Sequence, residues 1–232
     1  LLRAAHPQED EAAGVAVHVE TVDVGNETQM RGFLDRYASE GWPPIRGVVH
    51  MAATLDSHLT VDLQVEAFHA VMAPKLGAAQ VLDRLLPDLD LFVMFSSIEG
   101  FLAQPGEANY AAANAGLDAL AQDRRARGLP ATSIAWGVWA GTGLLAGSAG
   151  ERISSNLARQ GVRGFSPEQG GRLFGWLAGR PEIATAVLHI DWAAFRKARI
   201  GRGLPLYKHL VADALRNSAG LAESLASANP AE

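Results

Sequence analysis

The sequence predicts a doubly wound α/β fold, a Rossmann-like parallel sheet with helices on both faces. Two observations carry this. Strand-like runs alternate with helix-like runs along the chain, as repeated strand–helix–strand units do. The strand-like runs are also apolar almost throughout, as expected for strands covered on both faces.

The elements follow in order. VAVHVETVDV (15–24) is β-branched and bounded by Gly14 and Gly25, so it reads as a buried strand. Asn26 can cap a helix running to about Ser39, with Glu27 in its first turn. Residues 40–44 hold a Gly and a Pro pair and break the chain before a second strand, IRGVVHM (45–51). Residues 62–86 are helical, with Pro74 forcing a kink or restart. LDLFVMFS (89–96) is the most strand-like run, followed by a loop around Gln104, Pro105 and Gly106. A helix over 108–127 stops at Gly128, and PATSIAW (130–136) is another strand. Glycines at 137, 141, 143, 147 and 150 mark a mobile loop, and helices near 151–160 and 167–178 and a strand at 183–190 follow. Residues 1–216 read as one domain, and 217–232, rich in Ala, Ser and Asn, as a linker or tail. No internal repeat is present.

Composition narrows the function classes. The chain has 232 residues, 48% of them apolar and 19% charged, which excludes general disorder. Its net charge of −5 makes it a poor partner for nucleic acid. With no cysteine, it has no disulfides, thiolate metal sites or thiol nucleophiles. No apolar run approaches the ~20 residues that span a bilayer, and the first residues lack the features of a signal peptide. A soluble, cytoplasmic chain that uses no metal is expected.

Ligands of such sheets bind beyond the carboxyl ends of the strands. Candidate residues should therefore lie just after positions 24, 51, 96 and 136. Tyr110 and Asn114 stand four apart, on one face of a helix whose small neighbours leave room beside the ring. Ser96 and Ser97 end the best strand, and strand alternation lets only one of them face a site. Spacing alone leaves open that Tyr110 is an ordinary amphipathic residue with a locally bonded hydroxyl.

The run FVMFSSIEGFLAQPGEANYAAANAGLDALAQDRRARGLPATSIAWGVWAGTG resembles the ketoreductase domain of modular type I polyketide synthases. GVVHMAATLD and VMAPKLGAAQVL resemble the same family in the expected order, and the resemblance spans about Val15 to Asp191. The family is part of the short-chain dehydrogenase/reductase superfamily. The resemblance implies NADPH-dependent reduction of a β-ketoacyl chain tethered to an acyl carrier protein, with neighbouring synthase domains as partners. It implies that Tyr110 donates a proton, Ser97 binds the substrate carbonyl, and Lys75 and Asn114 complete the catalytic set. Lys75 comes from an earlier helix than the tyrosine, whereas simpler short-chain reductases carry the lysine four residues after it.

The chemistry suits that set. Hydride attack on a ketone builds negative charge on oxygen, which needs a proton and hydrogen-bond donors. A phenol of pKa ~10 is a weak acid that a nearby ammonium strengthens. The resemblance further implies cofactor contacts at Asp23, His50, Ala52, Lys75 and Gly137. Asp23 equally suits a helix cap, and Ala53 stands where the family usually has Gly. Asp56, Pro105 and Asn109 are implied to orient the substrate. Leu55-Asp56-Ser57 corresponds to the family's Leu-Asp-Asp motif, with Ser57 in place of the second Asp, and no tryptophan occurs over 98–109. That pattern implies the 3R hydroxyl. No G-x-G-x-x-G run precedes these residues, so the first strand and the phosphate-cradling loop of the fold are expected to be missing from this sequence. The rival reading is a catalytically silent ketoreductase-like domain kept for docking within a megasynthase. A free-standing lipid or steroid reductase is a weaker alternative.

Overall fold

The computed structural model describes residues 17–102, 104–141, 147–180 and 182–199. The proposed linker at 217–232 and part of the glycine-rich loop lie outside them. The chain divides into two compact units: residues 1–135 with 180–185, and residues 136–179 with 186–232.

The first unit begins with helix α1 (Glu27–Ser39), capped as expected by Asn26, whose side chain accepts the Gln29 N–H. Strand β1 (Gly47–His50) pairs in parallel with β2 (Leu91–Ser97), His50 opposite Met94. Between them run helix α2 (Val65–Met72), a wide π-helical turn (Ala73–Gly77) and helix α3 (Ala78–Leu85). After β2 come the short helix α4 (Glu99–Leu102) and the long helix α5 (Ala108–Ala126), then β3 (Thr132–Trp136). β5 (Ala184–Val187) completes a four-stranded sheet of order β1-β2-β3-β5. On β2, Phe92, Val93 and Met94 are all buried, so both faces of this strand are covered. Phe92 and Met94 share a core with Met30 of α1, Val81 and Leu82 of α3, and Leu117 and Ala121 of α5.

The second unit holds helix α6 (Gly147–Arg159), strand β4 (Val162–Arg163), helix α7 (Pro167–Ala178), strand β6 (His189–Ile190) and helix α8 (Trp192–Arg199). β4 and β6 pair antiparallel. Gly161, just before β4, has φ +82°, and a Cβ there would lie 2.5 Å from the Asp191 carbonyl oxygen. Both features demand glycine at this position.

Three expectations change. Residues 17–24 form no strand. Val22 and Val24 pack against the core. The backbone bonds of this segment go instead to the start of α1: Asn26 N–H to Asp23 O, and Asp23 N–H to Gln29 Oε1. Apolar alternation without a neighbouring ladder is not a strand. The α-helical run is interrupted at Pro74 as expected, by a widened turn after which the α-helix resumes at Ala78. The Ala78 N–H reaches Ala73 O, five residues back, and the turn absorbs the N–H that proline lacks. The expected loop gives way to helix from Gly147 onward, so its last four residues are helical. The strand at 183–190 splits at Leu188, its halves joining different sheets.

Candidate active site

The site is built at the carboxyl end of β2. Ser96 and Ser97 diverge as strand alternation requires. Ser96 is buried and donates to the Asn114 carbonyl at 3.3 Å. Ser97 is half-buried, accepts the Glu99 N–H at 3.2 Å, and interacts with the Tyr110 phenol.

Lys75 arrives from the π-turn. It is only 2% exposed, and its Nζ donates to the Phe95 carbonyl at 2.9 Å. The same Nζ lies 5.1 Å from the centroid of the Tyr110 ring, within cation–π range. A close approach of α5 to the π-turn makes this possible: a Cβ at Gly116 would come within 2.5 Å of the Leu76 side chain. Burial lowers the Lys75 pKa to about 8, against the opposing pull of the Asp118 carboxylate. Asp118 is in turn held by the Ser133 hydroxyl at 2.5 Å.

Burial acts in the other direction on Tyr110, pushing its phenol above the ordinary value, while the Asn114 and Ser97 side chains pull it down. The phenol therefore keeps its proton at neutral pH. Asn114 is fully buried. Its Nδ2 donates to the Tyr110 carbonyl at 2.7 Å, and its Oδ1 has no hydrogen-bond partner among the described residues. A buried acceptor left open in this way is the natural seat for a donor brought by a ligand.

Lys75, Tyr110, Ser97 and Asn114 thus gather in one place. The remaining candidates are spread more widely. His50 is buried, with Nε2 2.7 Å from the Lys75 carbonyl. Ala52 is half-buried just beyond β1. The exposed Asp23 uses its carboxylate on the Gly25 N–H at 3.0 Å, a turn that leads into α1. Gly137 belongs to the second unit, its N–H donating to the Val187 carbonyl at 2.8 Å. Among the described residues, no three His, Asp or Glu side chains group as a metal site. No helix there is long and apolar enough to cross a membrane.

Asp56, Pro105 and Asn109 form part of a strap beside the site. Asp56 Oδ1 pairs with His58 Nε2 at 2.8 Å. The buried Asn109 donates from Nδ2 to the Asp56 carbonyl at 2.8 Å and to the Ala67 carbonyl at 3.3 Å, while its Oδ1 accepts the Tyr110 N–H. Pro105 and Gly106, the latter at φ +89°, make the tight turn whose Gly106 carbonyl accepts the His58 N–H. Sequence reasoning missed two members of this region. One is Glu107, which takes the Ser57 hydroxyl at 2.6 Å; the other is Asp118. The i, i+4, i+8 spacing of Tyr110, Asn114 and Asp118 was the available signal for the second.

A family model described as the KR domain matches residues 3–141. The ketoreductase PlmKR1, from the first module of phoslactomycin biosynthesis in Streptomyces sp. HK803, is 37% identical with a TM-score of 0.77. That match covers 84% of this chain and 45% of the solved one. The polyketide synthase GfsB of Streptomyces halstedii is 37% identical over 95% of this chain and 4% of its own length. The phenolphthiocerol synthesis polyketide synthase type I Pks15/1 of Mycobacterium marinum is 35% identical over 92% of this chain and 11% of its own. The chain thus spans less than half of that solved ketoreductase and a small part of the two synthases. The α/β sheet, the site at the end of β2 and these matches agree: the chain belongs to the KR-domain family, the ketoreductase domains of type I polyketide synthases.

Proposed function

We propose that this chain reduces a β-ketoacyl group, tethered to an acyl carrier protein within a polyketide synthase, to the β-hydroxyacyl form with NADPH. The observation that carries the reading is the buried Lys75 ammonium over the Tyr110 ring, with Ser97 and Asn114 beside the same tyrosine. Buried ionisable groups grouped in this way mark functional sites.

In this reading Ser97 donates a hydrogen bond to the substrate carbonyl oxygen. Tyr110 transfers its phenolic proton to that oxygen as negative charge develops there. Lys75, one N–H of which is taken by Phe95, favours the phenolate left behind. The open Oδ1 of Asn114 and the other N–H groups of Lys75 fit the hydroxyl-rich ribose of a nicotinamide cofactor. When bound, that cofactor supplies the hydride to the carbonyl carbon, so that C=O becomes CH–OH. Asp56 and Asn109, linked in the strap, are the residues proposed to set which carbonyl face is presented.

The test is NADPH titration of the full chain followed by assay with a β-ketoacyl thioester and chiral analysis of the alcohol. NADPH binding and a predominantly 3R product are expected. A folded chain that neither binds NADPH nor reduces the thioester would leave the silent docking reading in its place.

The rate should also respond to pH. Only protonated Lys75 favours the phenolate, and its pKa is lowered to about 8. Reduction should therefore decline as pH rises through that value, while Tyr110, with its raised pKa, still holds its proton. A pH–rate profile checks this, and a rate still flat at about pH 9.5 would show that Lys75 is not the controlling group.

A further inference from the structure

Lys75 is held at both ends. Its ammonium donates to the Phe95 carbonyl on β2, and its own carbonyl lies 2.7 Å from His50 Nε2 on β1. His50 pairs with Met94 across the two strands, so Phe95 stands one residue beyond that pair. Two adjacent strands thus grip the same lysine, one by its backbone and the other by its tip. The π-turn between them is a form rarely stable by itself, and Pro74 removes one of its N–H donors.

We propose that His50 is a positioning residue that clamps the Lys75 carbonyl, fixes the π-turn and so aims the ammonium at Tyr110. This rests on the reading of Lys75 as the cation of the reductive site. A carbonyl can only accept, so the proton of the neutral ring is on Nε2. The ring is buried at the end of β1, and burial together with the Lys75 charge holds its pKa below the ordinary value, while its bond to the Lys75 carbonyl opposes that shift. A residue that merely filled space would do so with either nitrogen protonated. The charged and titratable groups acting on Lys75 are Asp118 and Tyr110 of α5 and His50 itself.

Two amide variants separate the clamp from simple packing. In His50→Gln the side-chain amide nitrogen occupies about the place of Nε2 and can still donate to the Lys75 carbonyl. In His50→Asn it occupies about the place of Nδ1 and cannot. Competitive acetylation of the full chain across pH, read by mass spectrometry at the Lys75 peptide, measures the lysine directly without cofactor or substrate. Wild type and His50→Gln should titrate near about 8. His50→Asn should move towards the ordinary lysine value, and its labelling at neutral pH should fall roughly tenfold for each pH unit by which its midpoint rises. In the reductase assay His50→Asn should lose kcat with little change in KM, and its basic limb should move up in step. Equal titration of Lys75 in the wild type and both variants would overturn the clamp. Should His50→Asn fail to fold, 15N NMR of the wild-type imidazole decides. A proton on Nε2 of the neutral ring supports the clamp, and a proton on Nδ1 overturns it. If the labelling changes as stated while the wild type reduces no β-ketoacyl thioester, the clamp stands and the ketoreductase reading falls.

Discussion

Tyr110→Phe is expected to lower β-ketoacyl reduction about 10²–10⁴-fold, the range for loss of a positioned general acid. The change removes one oxygen and leaves the ring. Lys75 Nζ lies over that ring at 5.1 Å, so their contact survives. The bond from Asn114 Nδ2 to the Tyr110 backbone carbonyl survives too, while the contacts of the hydroxyl with the Asn114 and Ser97 side chains are lost. Stability should therefore fall by no more than about 1–3 kcal/mol, the net worth of the hydroxyl's two hydrogen bonds. The variant should bind NADPH like the wild type but fail in turnover. Steady-state kinetics with a thermal melt measure both quantities. Turnover within a few-fold of wild type would remove Tyr110 from the role of proton donor.

The second large effect lies away from the chemistry. Asp83→Ala is expected to cost about 3–5 kcal/mol of stability, the range for breaking a buried ion pair from one side. Arg124 of α5 is 0% exposed, and its Nη1 is paired with Asp83 of α3, which is itself only 11% exposed. The guanidinium also donates to the Pro130 carbonyl at 3.1 Å and stacks 4.4 Å from the Phe92 ring. Without Asp83 it would keep those neighbours but lose its counter-charge. The exposed Arg127 shares Asp83 at 2.8 Å, and Arg127→Ala should cost far less than Asp83→Ala, since solvent screens its charge. Denaturant titration of the two variants compares them directly. If Asp83→Ala cost less than about 1 kcal/mol, Arg124 would have to be reached by water once its partner is gone.

Much of the fold was legible because it depends on local chemistry. The cap at Asn26, the stop at Gly128 and the burial of Phe92, Val93 and Met94 follow from side-chain type and spacing. Helix α7 appears over the predicted residues because Ser166, Pro167 and Gln169 write its start within four positions, as a capping box with Pro in the first turn. The candidate site was legible mainly through resemblance. Spacing alone placed Tyr110 and Asn114 on one face but could not choose between a site and an ordinary helix surface.

Other features depended on residues far apart in the chain. Residues 17–24 have a strand's composition, but a strand exists only where a partner backbone offers its ladder, and no local pattern reports that. Pro74 marked an interruption of the helix because proline removes a donor. Only the packing of the π-turn, between His50 on one strand and Phe95 on the next, shows the form it takes. The same packing buries Lys75, which by type belongs in water. Burial lowers its pKa, and the carbonyl its ammonium meets belongs to Phe95, 20 residues further along the chain. By itself the sequence determined the cap, the stop and the apolar strand of the fold, and through resemblance it nominated residues for the site. The tertiary structure decided which of them come together, because burial and strand pairing join positions that local propensity cannot connect.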